Sequence, residues 1–319
     1  MLLKILPLIF LLFTSNIFAQ KITANWMGIL YKDHSNILLS DIIIPGTHDS
    51  ATYTINKKSP FPSDAPKFFK AAKKTVAKMS KTQNKDIYTQ LLRGNRYLDL
   101  RITDYQNKLF IVHGMLGVEL ETVLKDIRKF TIKYPREIII IDFQKMPKAE
   151  YFSMLHELVQ KYLGDFLYFR KIDPVKITFK HLWRNQRSIL PVMDGDEFIK
   201  IYPRYFKRSA FLKSDWANTT KRNILEQKLK KFLEDQDLTK FHVGYLTLTP
   251  DTKYILKGIF SPKTNIYRLN KEVFNSPGEW LPKWKEEGIK LNIISVDFEA
   301  DSNLFETVLR LNKEALRDQ

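Results

Sequence analysis

Short apolar runs alternate with longer amphipathic stretches along most of the chain. The continuous Ile, Val and Leu runs are typical of buried parallel strands. Strands are predicted at residues 42–44, 97–102, 110–112, 138–143, 188–193, 243–248 and 292–298. Helices are predicted at residues 66–81, 87–92, 120–133, 150–162, 221–234, 271–287 and 302–316. This alternation favours an α/β fold, namely an irregular, single-domain (β/α) barrel of the TIM type.

The first residues carry the pattern of a secretory signal peptide. Lys4 is followed by an apolar run at 5–13, and Ala19 stands at a plausible cleavage point. The run is well short of the ~20 residues that span a bilayer, although an uncleaved anchor is the alternative interpretation. We therefore expect a signal peptide at 1–19, one catalytic domain at 20–319, and a secreted or periplasmic protein.

Composition narrows the chemistry. The chain has no cysteine, which excludes disulfides, thiolate metal sites and a cysteine nucleophile. A hydrophobic content of 44% is normal for a globular protein with an ordinary apolar core.

The formal net charge of +17 favours an anionic partner, which is a nucleic acid, a membrane surface or a phosphorylated substrate. Export argues against nucleic acid, and no basic and aromatic motif of the known modules is present. The expected partner is a phospholipid membrane surface with anionic lipid, and the expected state is a monomer.

Lysines are concentrated at residues 57–85, where only Asp64 opposes them. Within the predicted helix 66–81, four apolar residues recur at helical spacing: Phe69, Ala72, Val76 and Met79. This helix either docks on anionic lipid or is a surface helix whose apolar stripe packs on the barrel.

Polar residues follow several predicted strands, at the positions where each strand finishes: His48, His113, Asp142, Asp194 and Asp297. Pro45 and Gly46 are expected to end the first strand just before His48. In a (β/α) barrel the carboxyl ends of all strands meet on one face, where active sites form. These side chains are therefore expected to converge, although a single histidine or aspartate at a strand end is often structural.

The predicted strand 97–102 places Tyr97, Asp99 and Arg101 on one face, toward the barrel interior. An inward carboxylate and guanidinium are costly unless they are paired or used. They either form a structural pair or hold the guanidinium ready for an anion, because Arg binds phosphate through two parallel hydrogen bonds.

Two histidines and one arginine meet the needs of phosphoryl transfer without a metal. A neutral imidazole accepts a proton from the attacking hydroxyl, and an imidazolium donates one to the leaving oxygen. A guanidinium offsets the charge on the phosphoryl oxygens. Each imidazole needs an orienting carboxylate, for which Asp49 and Asp297 are available.

Three motifs in order, Asp41–Ser50 (DIIIPGTHDS), Arg96–Ile102 (RYLDLRI) and Val112-His113-Gly114, resemble the start of the phosphatidylinositol-specific phospholipase C X domain. Three later segments resemble the branch called X-domain-containing proteins: 216–219 (WANT), 246–250 (LTLTP) and 292–298 (NIISVDF). The resemblance runs from about residue 26 to about residue 311.

The resemblance implies a barrel phospholipase C that forms a cyclic inositol phosphate. It implies that His48 is the general base for the inositol 2-hydroxyl and His113 the general acid for the diacylglycerol oxygen. Arg101 matches the arginine of the metal-free bacterial members, so no metal and no cofactor are expected. The carboxylates match three further roles: orienting the base (Asp297), pairing with the acid (Asp49) and lying near the phosphate (Asp99).

The substrate side of the resemblance is less complete. Gln144 stands where some bacterial enzymes have a substrate-contacting lysine. The candidates for substrate binding are Asp142, Asp194, Trp216 and Asn218, each with a structural role as the alternative. Two other functions stay open: a barrel phosphodiesterase acting on glycerophosphodiesters or lysophospholipids, and a non-catalytic inositide-binding module.

Overall fold

The structure is a computed structural model that describes residues 23–169, 172–235 and 237–318. The predicted signal peptide at 1–19 lies outside the described residues. No helix in the described part of the chain has the length and apolar character needed to cross a membrane.

Eight parallel strands form a curled sheet: β1 (Ile44–Thr47), β2 (Tyr97–Tyr105), β5 (Ile139–Lys145), β6 (Ile189–Met193), β7 (Phe206–Lys207), β8 (Leu212–Asp215), β9 (Phe241–Leu246) and β10 (Ile293–Val296). Their order around the wall is β7-β6-β5-β2-β1-β10-β9-β8, so β7 and β8 are the two edges. Two further strands, β3 (Lys108–His113) and β4 (Met115–Glu119), extend from β2 as an antiparallel meander. The predicted (β/α) barrel of the TIM type is confirmed, with an open seam between β7 and β8.

Helices surround this wall: α1 (Trp26–Leu30), α2 (Lys67–Ala71), α3 (Lys73–Ser80), α4 (Ile87–Leu92), α5 (Leu120–Lys133), α6 (Phe152–Leu163), α7 (Phe179–Arg184), α8 (Asp196–Ile201), α9 (Arg208–Phe211), α10 (Arg222–Glu234), α11 (Thr252–Phe260), α12 (Ile266–Asn270), α13 (Ser276–Glu286) and α14 (Leu304–Arg317). The long helices α5, α6 and α14 bury one apolar face each against the strands.

Side chains of β2 alternate between two apolar layers, as the sequence predicts. Leu98 and Leu100 pack outward in a core shared with α5 and α6. Tyr97 packs inward with Tyr245 and other residues of the barrel interior. The alternation therefore directs Asp99 and Arg101 to the inner side of the wall.

Strand β1 contains Pro45 and Gly46, so the prediction that they end the strand is wrong. Pro45 still takes part in the pairing with β2, because its carbonyl accepts a hydrogen bond from the backbone N–H of Arg96 at 2.8 Å. A Cβ atom on Gly46 would lie 2.7 Å from Cβ of Tyr97. Gly46 is thus required by close packing inside the barrel.

Two other predictions are corrected by the fold. The segment 110–112 belongs to β3, which pairs antiparallel with β2 and is not a strand of the barrel wall. The predicted helix 66–81 is two helices, α2 and α3, that meet at Ala72. In α3 the apolar side chains of Val76 and Met79 pack inward, whereas Phe68 of α2 is 68% exposed.

Candidate active site

The carboxyl ends of β1, β2 and β10 bring a cluster of charged side chains together. His48 and Asp49 follow β1 directly, Asp99 and Arg101 lie on β2, and Asp297 follows β10. All except Arg101 are buried, and Arg101 keeps 29% of its side chain exposed. These five residues, far apart in sequence, form one cluster because parallel strands finish on the same face.

His48 is held by two partners on opposite sides of its ring. Its Nδ1 lies 2.8 Å from Oδ1 of Asp297, and its Nε2 lies 3.1 Å from Nη2 of Arg101. A carboxylate accepts and a guanidinium donates, so we assign the neutral tautomer with the proton on Nδ1. The Nε2 lone pair then faces the cluster, which is the arrangement a general base needs. Asn270 donates to the second oxygen of Asp297 at 3.0 Å and fixes that carboxylate.

His113 reaches the cluster from the antiparallel meander. It ends β3, and its ring centroid lies 6.3 Å from that of His48. Its Nδ1 donates to the carbonyl oxygen of Ser80 at 2.9 Å. Its Nε2 lies 3.3 Å from Oδ2 of Asp49. Because a carbonyl only accepts, Nδ1 carries a proton in either charge state, and Nε2 is the atom that can give up a proton to a substrate.

Asp49 lies between both imidazoles and the guanidinium. Its Oδ2 is 3.2 Å from Nε2 of His48, and its Oδ1 is 2.8 Å from Nε of Arg101. Its backbone has a φ of +43°, in the left-handed region that Asp tolerates better than most residues. This conformation points the carboxylate into the cluster, and such strain is often retained at functional sites.

Burial and charge act against each other on the pKa values of this cluster. Burial opposes protonation of His48, but the carboxylates of Asp49 and Asp297 outweigh it and raise the pKa of His48 above its usual value. Burial opposes ionisation of Asp49, yet the two imidazoles and Arg101 lower its pKa. Burial raises the pKa of Asp297 and of Asp99. Asp49 is therefore the carboxylate that stays ionised most readily.

One group of described residues brings metal-ligating atoms together, namely His48, Asp49 and Asp99. The Arg101 guanidinium lies among these ligands, 2.8 Å from Asp49 and 3.7 Å from Asp99. Ca²⁺ takes six to eight oxygen ligands, and this group offers two carboxylates. A divalent cation here would also be repelled by the guanidinium, so the residues present do not fit a calcium site.

The predicted substrate-binding residues differ in where they lie. Trp216 does reach the cluster, since its ring centroid is 4.8 Å from that of His48. Asp142 lies inside the barrel, where Arg208 donates to both of its oxygens and Tyr97 donates to one. Asp194 and Asn218 are exposed, and among the described residues no hydrogen bond or ion pair joins either side chain to the cluster.

Sequence reasoning missed two residues at the mouth of the barrel, Tyr245 and Arg208. Tyr245 of β9 packs its ring 5.6 Å from His48 and receives a hydrogen bond from Gln144. Arg208 links Asp142 of β5 to Ser214 of β8 across the seam. The alternation of side chains along β9 was sufficient to place Tyr245 inward, whereas no periodic pattern surrounds Arg208.

Comparison with known proteins gives the family. The model described as phosphatidylinositol-specific phospholipase C, X domain, matches residues 71–190. The chain is 30% identical over 312 residues to PI-PLC X domain-containing protein 2 of Mus musculus, covering 91% of this chain and 87% of that one. This chain belongs to the phosphatidylinositol-specific phospholipase C X-domain family.

Other relatives of this X-domain protein include named enzymes. It is 27% identical over 305 residues to the variant-surface-glycoprotein phospholipase C of Trypanosoma cruzi, covering 83% of this chain and 78% of that one. The phosphatidylinositol-specific phospholipase C of Listeria monocytogenes superposes with a TM-score of 0.64 at 19% identity, covering 90% of this chain and 98% of the other. At that identity the superposition shows the shared barrel fold.

Proposed function

We propose that this X-domain protein is a metal-independent phosphodiesterase that cleaves phosphatidylinositol-type lipids to diacylglycerol and a cyclic inositol phosphate. The observation that carries the proposal is the placement of His48 and His113, whose rings are 6.3 Å apart, around one carboxylate and one guanidinium. The names of the relatives in Trypanosoma cruzi and Listeria monocytogenes support the same reaction class.

In the proposed reaction the 2-hydroxyl oxygen of the inositol ring attacks phosphorus. His48 Nε2 takes the hydroxyl proton as the new P–O bond forms, and His113 Nε2 donates a proton to the diacylglycerol oxygen as the old P–O bond breaks. The product is a cyclic phosphodiester. The two histidines finish with their protonation states exchanged, so water is able to open the ring by the reverse roles.

Arg101 supplies the positive charge that the phosphoryl oxygens need. Burial works against its charge, but Asp49 and Asp99 raise its pKa, so the guanidinium stays protonated. With 29% of its side chain exposed, the guanidinium is accessible to a substrate phosphate. We therefore expect activity to persist in EDTA, whereas a glycerophosphodiester-type barrel would lose its metal and its activity.

The head group would lie near Trp216 and Tyr245, whose rings pack against His48, and near Gln144, which donates to the Tyr245 hydroxyl. Flat aromatic faces suit the apolar face of a cyclitol ring, and the amide suits its hydroxyl groups. Asp194 and Asn218 remain proposed contacts on the rim. Because Gln144 is neutral, glycerophosphodiesters and lysophospholipids belong in the substrate panel.

An anionic membrane is the proposed partner. Helix α11 exposes Ile255, Leu256, Ile259 and Phe260, and Phe260 is 87% exposed. The lysine-rich helix α3 lies alongside, because Thr75 and Lys78 donate to the carbonyl of Gly258 in α11. Apolar side chains ringed by lysines are typical of helices that dock on anionic lipid.

Phosphorus NMR on phosphatidylinositol in mixed micelles tests the reaction. The wild type should yield a cyclic phosphate resonance, and His48→Ala and His113→Ala should each remove it while the fold persists. His34→Ala, an exposed histidine outside the cluster, is the matched control. If both cluster variants retain the wild-type rate, the proposed mechanism is wrong. If the wild type binds the lipid but forms no product, the non-catalytic inositide-binding module is favoured.

Export is the proposed route to this substrate, with removal of residues 1–19 and release to the periplasm or the medium. Intact mass of the protein from its native host measures the cleavage point. A mass that includes the first nineteen residues would contradict it.

A further inference from the structure

A basic cavity lies beside the proposed catalytic cluster. A cavity of about 910 Å³ opens between α3 and α12. Six of its lining residues are cationic, and none is acidic: Lys57, Lys74, Lys78, Lys81, Arg268 and Lys271. Such a concentration of like charge raises the local concentration of anions and is costly to the fold unless an anion is bound.

The described part of the chain offers most of these cations no carboxylate as a partner. Lys78 donates to the carbonyl oxygens of Gly258 and Ser261. Among the described residues, no carboxylate lies within ion-pair distance of the other cations of the cavity. Lysines elsewhere are often paired, as Lys108 is with Glu119 at 2.7 Å. The cavity therefore offers free positive charge in a concave site.

The remaining lining suits a ligand that carries more than a bare anion. Ile55, Ala77 and Phe298 form an apolar part of the wall, with Tyr267 beside them. Asn56, Asn84 and Asn265 contribute polar groups to the same wall. A phosphate ester attached to a partly apolar molecule would match this combination.

The cavity and the catalytic cluster share two backbone segments. Lys81 follows Ser80, whose carbonyl oxygen holds Nδ1 of His113. Phe298 follows Asp297, and its backbone N–H donates to the carbonyl of Thr82 at 2.7 Å. An anion held by the cavity would therefore steady the segments that orient both imidazoles, without contacting either ring.

The cavity also lies next to the exposed apolar helix. Lys78 in its wall bonds to the carboxyl end of α11, which carries Ile259 and Phe260 on its surface. A phospholipid with its acyl chains in a bilayer at α11 would have its phosphate near the cavity, because Lys78 belongs to the cavity wall and bonds to the end of α11. This adjacency favours a membrane lipid over a freely diffusing phosphate.

We propose that this cavity binds the phosphate head group of an anionic phospholipid that is not the lipid being cleaved. The proposal rests on the proposed function and extends it to regulation: anionic lipid in the membrane would activate the enzyme through a site separate from His48 and His113. This activation would be distinct from the general attraction between the basic protein and an anionic membrane. It depends on the cations of one cavity, whereas the general attraction depends on the net charge of the protein.

The experiment compares a cavity variant with a charge-matched control. The cavity variant is Lys74→Gln/Arg268→Gln/Lys271→Gln. The control is Lys180→Gln/Arg184→Gln/Lys231→Gln, exposed cations on α7 and α10 toward the amino ends of the strands. Both lose the same charge, and both leave the catalytic cluster intact.

Cleavage is measured at constant phosphatidylinositol in phosphatidylcholine vesicles, with and without phosphatidylglycerol. Phosphatidylglycerol should stimulate the wild type and the control alike, and the stimulation should fall by about fivefold for each cavity charge removed. Hydrolysis of soluble cyclic inositol phosphate should be equal in all three proteins. Equal stimulation of all three would overturn the proposal.

A second arm separates lipid from soluble phosphate and separates this proposal from the function itself. Titration with inorganic phosphate, followed by amide shifts, should show weak binding that the cavity variant alone loses. Phosphate binding in the cavity without any effect of phosphatidylglycerol would overturn the lipid assignment. If no protein cleaves any substrate, the proposed function fails, and loss of vesicle binding in the cavity variant alone would still support the lipid site.

Discussion

Asp49 couples the two histidines at the scale of single residues. Both Nε2 atoms lie within 3.3 Å of its Oδ2, so a proton on either ring is stabilised by the same carboxylate. Asp49 therefore gives the proposed general base and the proposed general acid one shared counter-charge. Acid–base catalysis requires one neutral and one protonated imidazole, and a carboxylate between the rings suits that pair.

Asp297 sets the basicity and tautomer of His48, and its removal should change the pH dependence of the reaction. Asp297→Asn removes one of the two carboxylates that raise the pKa of His48. The base works when neutral, so the acidic limb of kcat/KM against pH should move to lower pH. The rate at the optimum should fall on the order of 10²–10⁴-fold, since the tautomer is no longer fixed.

The control for this variant is Asp33→Asn, an exposed carboxylate whose nearest described cation is Lys32 at 3.6 Å. Its profile should overlie that of the wild type. An Asp297→Asn profile with an unmoved acidic limb would mean that His48 does not act as the base.

At the scale of elements, the strands that sequence predicts well are those with long apolar runs. β2, β5 and β10 are buried on both faces, so their apolar composition is enough to identify them as strands. β7 and β8 are short edge strands that contain Lys207, Lys213 and Asp215, and no periodic pattern distinguishes them from loop. Edge strands escape prediction because one side of their backbone is unpaired and their side chains face water.

The meander begins with a tight turn before β3, which the pattern of apolar residues does not indicate. Gln106 and Asn107 both have positive φ, which is the two-residue turn that joins antiparallel strands. Recognition of that turn would have removed residues 110–112 from the barrel wall. The prediction that His113 lies near His48 is nevertheless confirmed, since the meander folds back over the same face.

The catalytic candidates were predictable because strand ends and alternation specify direction. The role of Asp142 was not predictable, because a position at the end of a strand does not tell whether a carboxylate faces substrate or another side chain. Its partner Arg208 lies 66 residues later, beyond any local pattern. Contacts of that kind depend on the closed barrel and become visible only in three dimensions.

The contribution of the Arg208–Asp142 ion pair to the free energy of unfolding should depend on pH. Burial raises the pKa of Asp142 to about 6, with Arg208 opposing the rise. Above that pKa the carboxylate is charged and needs its partner, whereas below it the neutral acid does not. Arg208→Gln should therefore cost about 3–5 kcal/mol of unfolding free energy at about pH 8 and less at about pH 5.

Urea unfolding at both pH values measures the difference. Arg310→Gln, which removes an exposed helical pair with Glu314, is the control and should change stability by less than ~0.5 kcal/mol at either pH. A loss from Arg208→Gln that grows toward low pH would contradict the assigned ionisation of Asp142.

At the scale of the whole molecule, positive charge and exposed apolar surface coincide. The net charge is +17, and Lys78 of the lysine-rich helix α3 donates to the carbonyl of Gly258 in α11, the helix that carries the exposed apolar residues. Ile259→Ser/Phe260→Ser should weaken binding to anionic vesicles by about tenfold or more, because both side chains are exposed to water without the membrane. Cosedimentation with phosphatidylglycerol vesicles gives the affinity.

Ile132→Ser/Leu238→Ser is the matched control, since these apolar residues are 58% and 67% exposed on segments that lead into β5 and β9. Raised salt should weaken binding of the wild type and of both variants, because the lysine contribution is screened. Equal binding of all three proteins would exclude α11 as the membrane surface.

Because the seam is open, the barrel wall is a sheet with two edge strands, β7 and β8, that are consecutive in the sequence. β7 and β8 are separated only by the four residues of α9, and Arg208 is tied to both sides of the border. Local opening at these two edges would expose the barrel interior without breaking the pairing between any other strands. Amide deuteration should therefore proceed fastest there and slowest in β1, β2 and β10, so that the cluster around Asp49 stays rigid while the opposite wall relaxes.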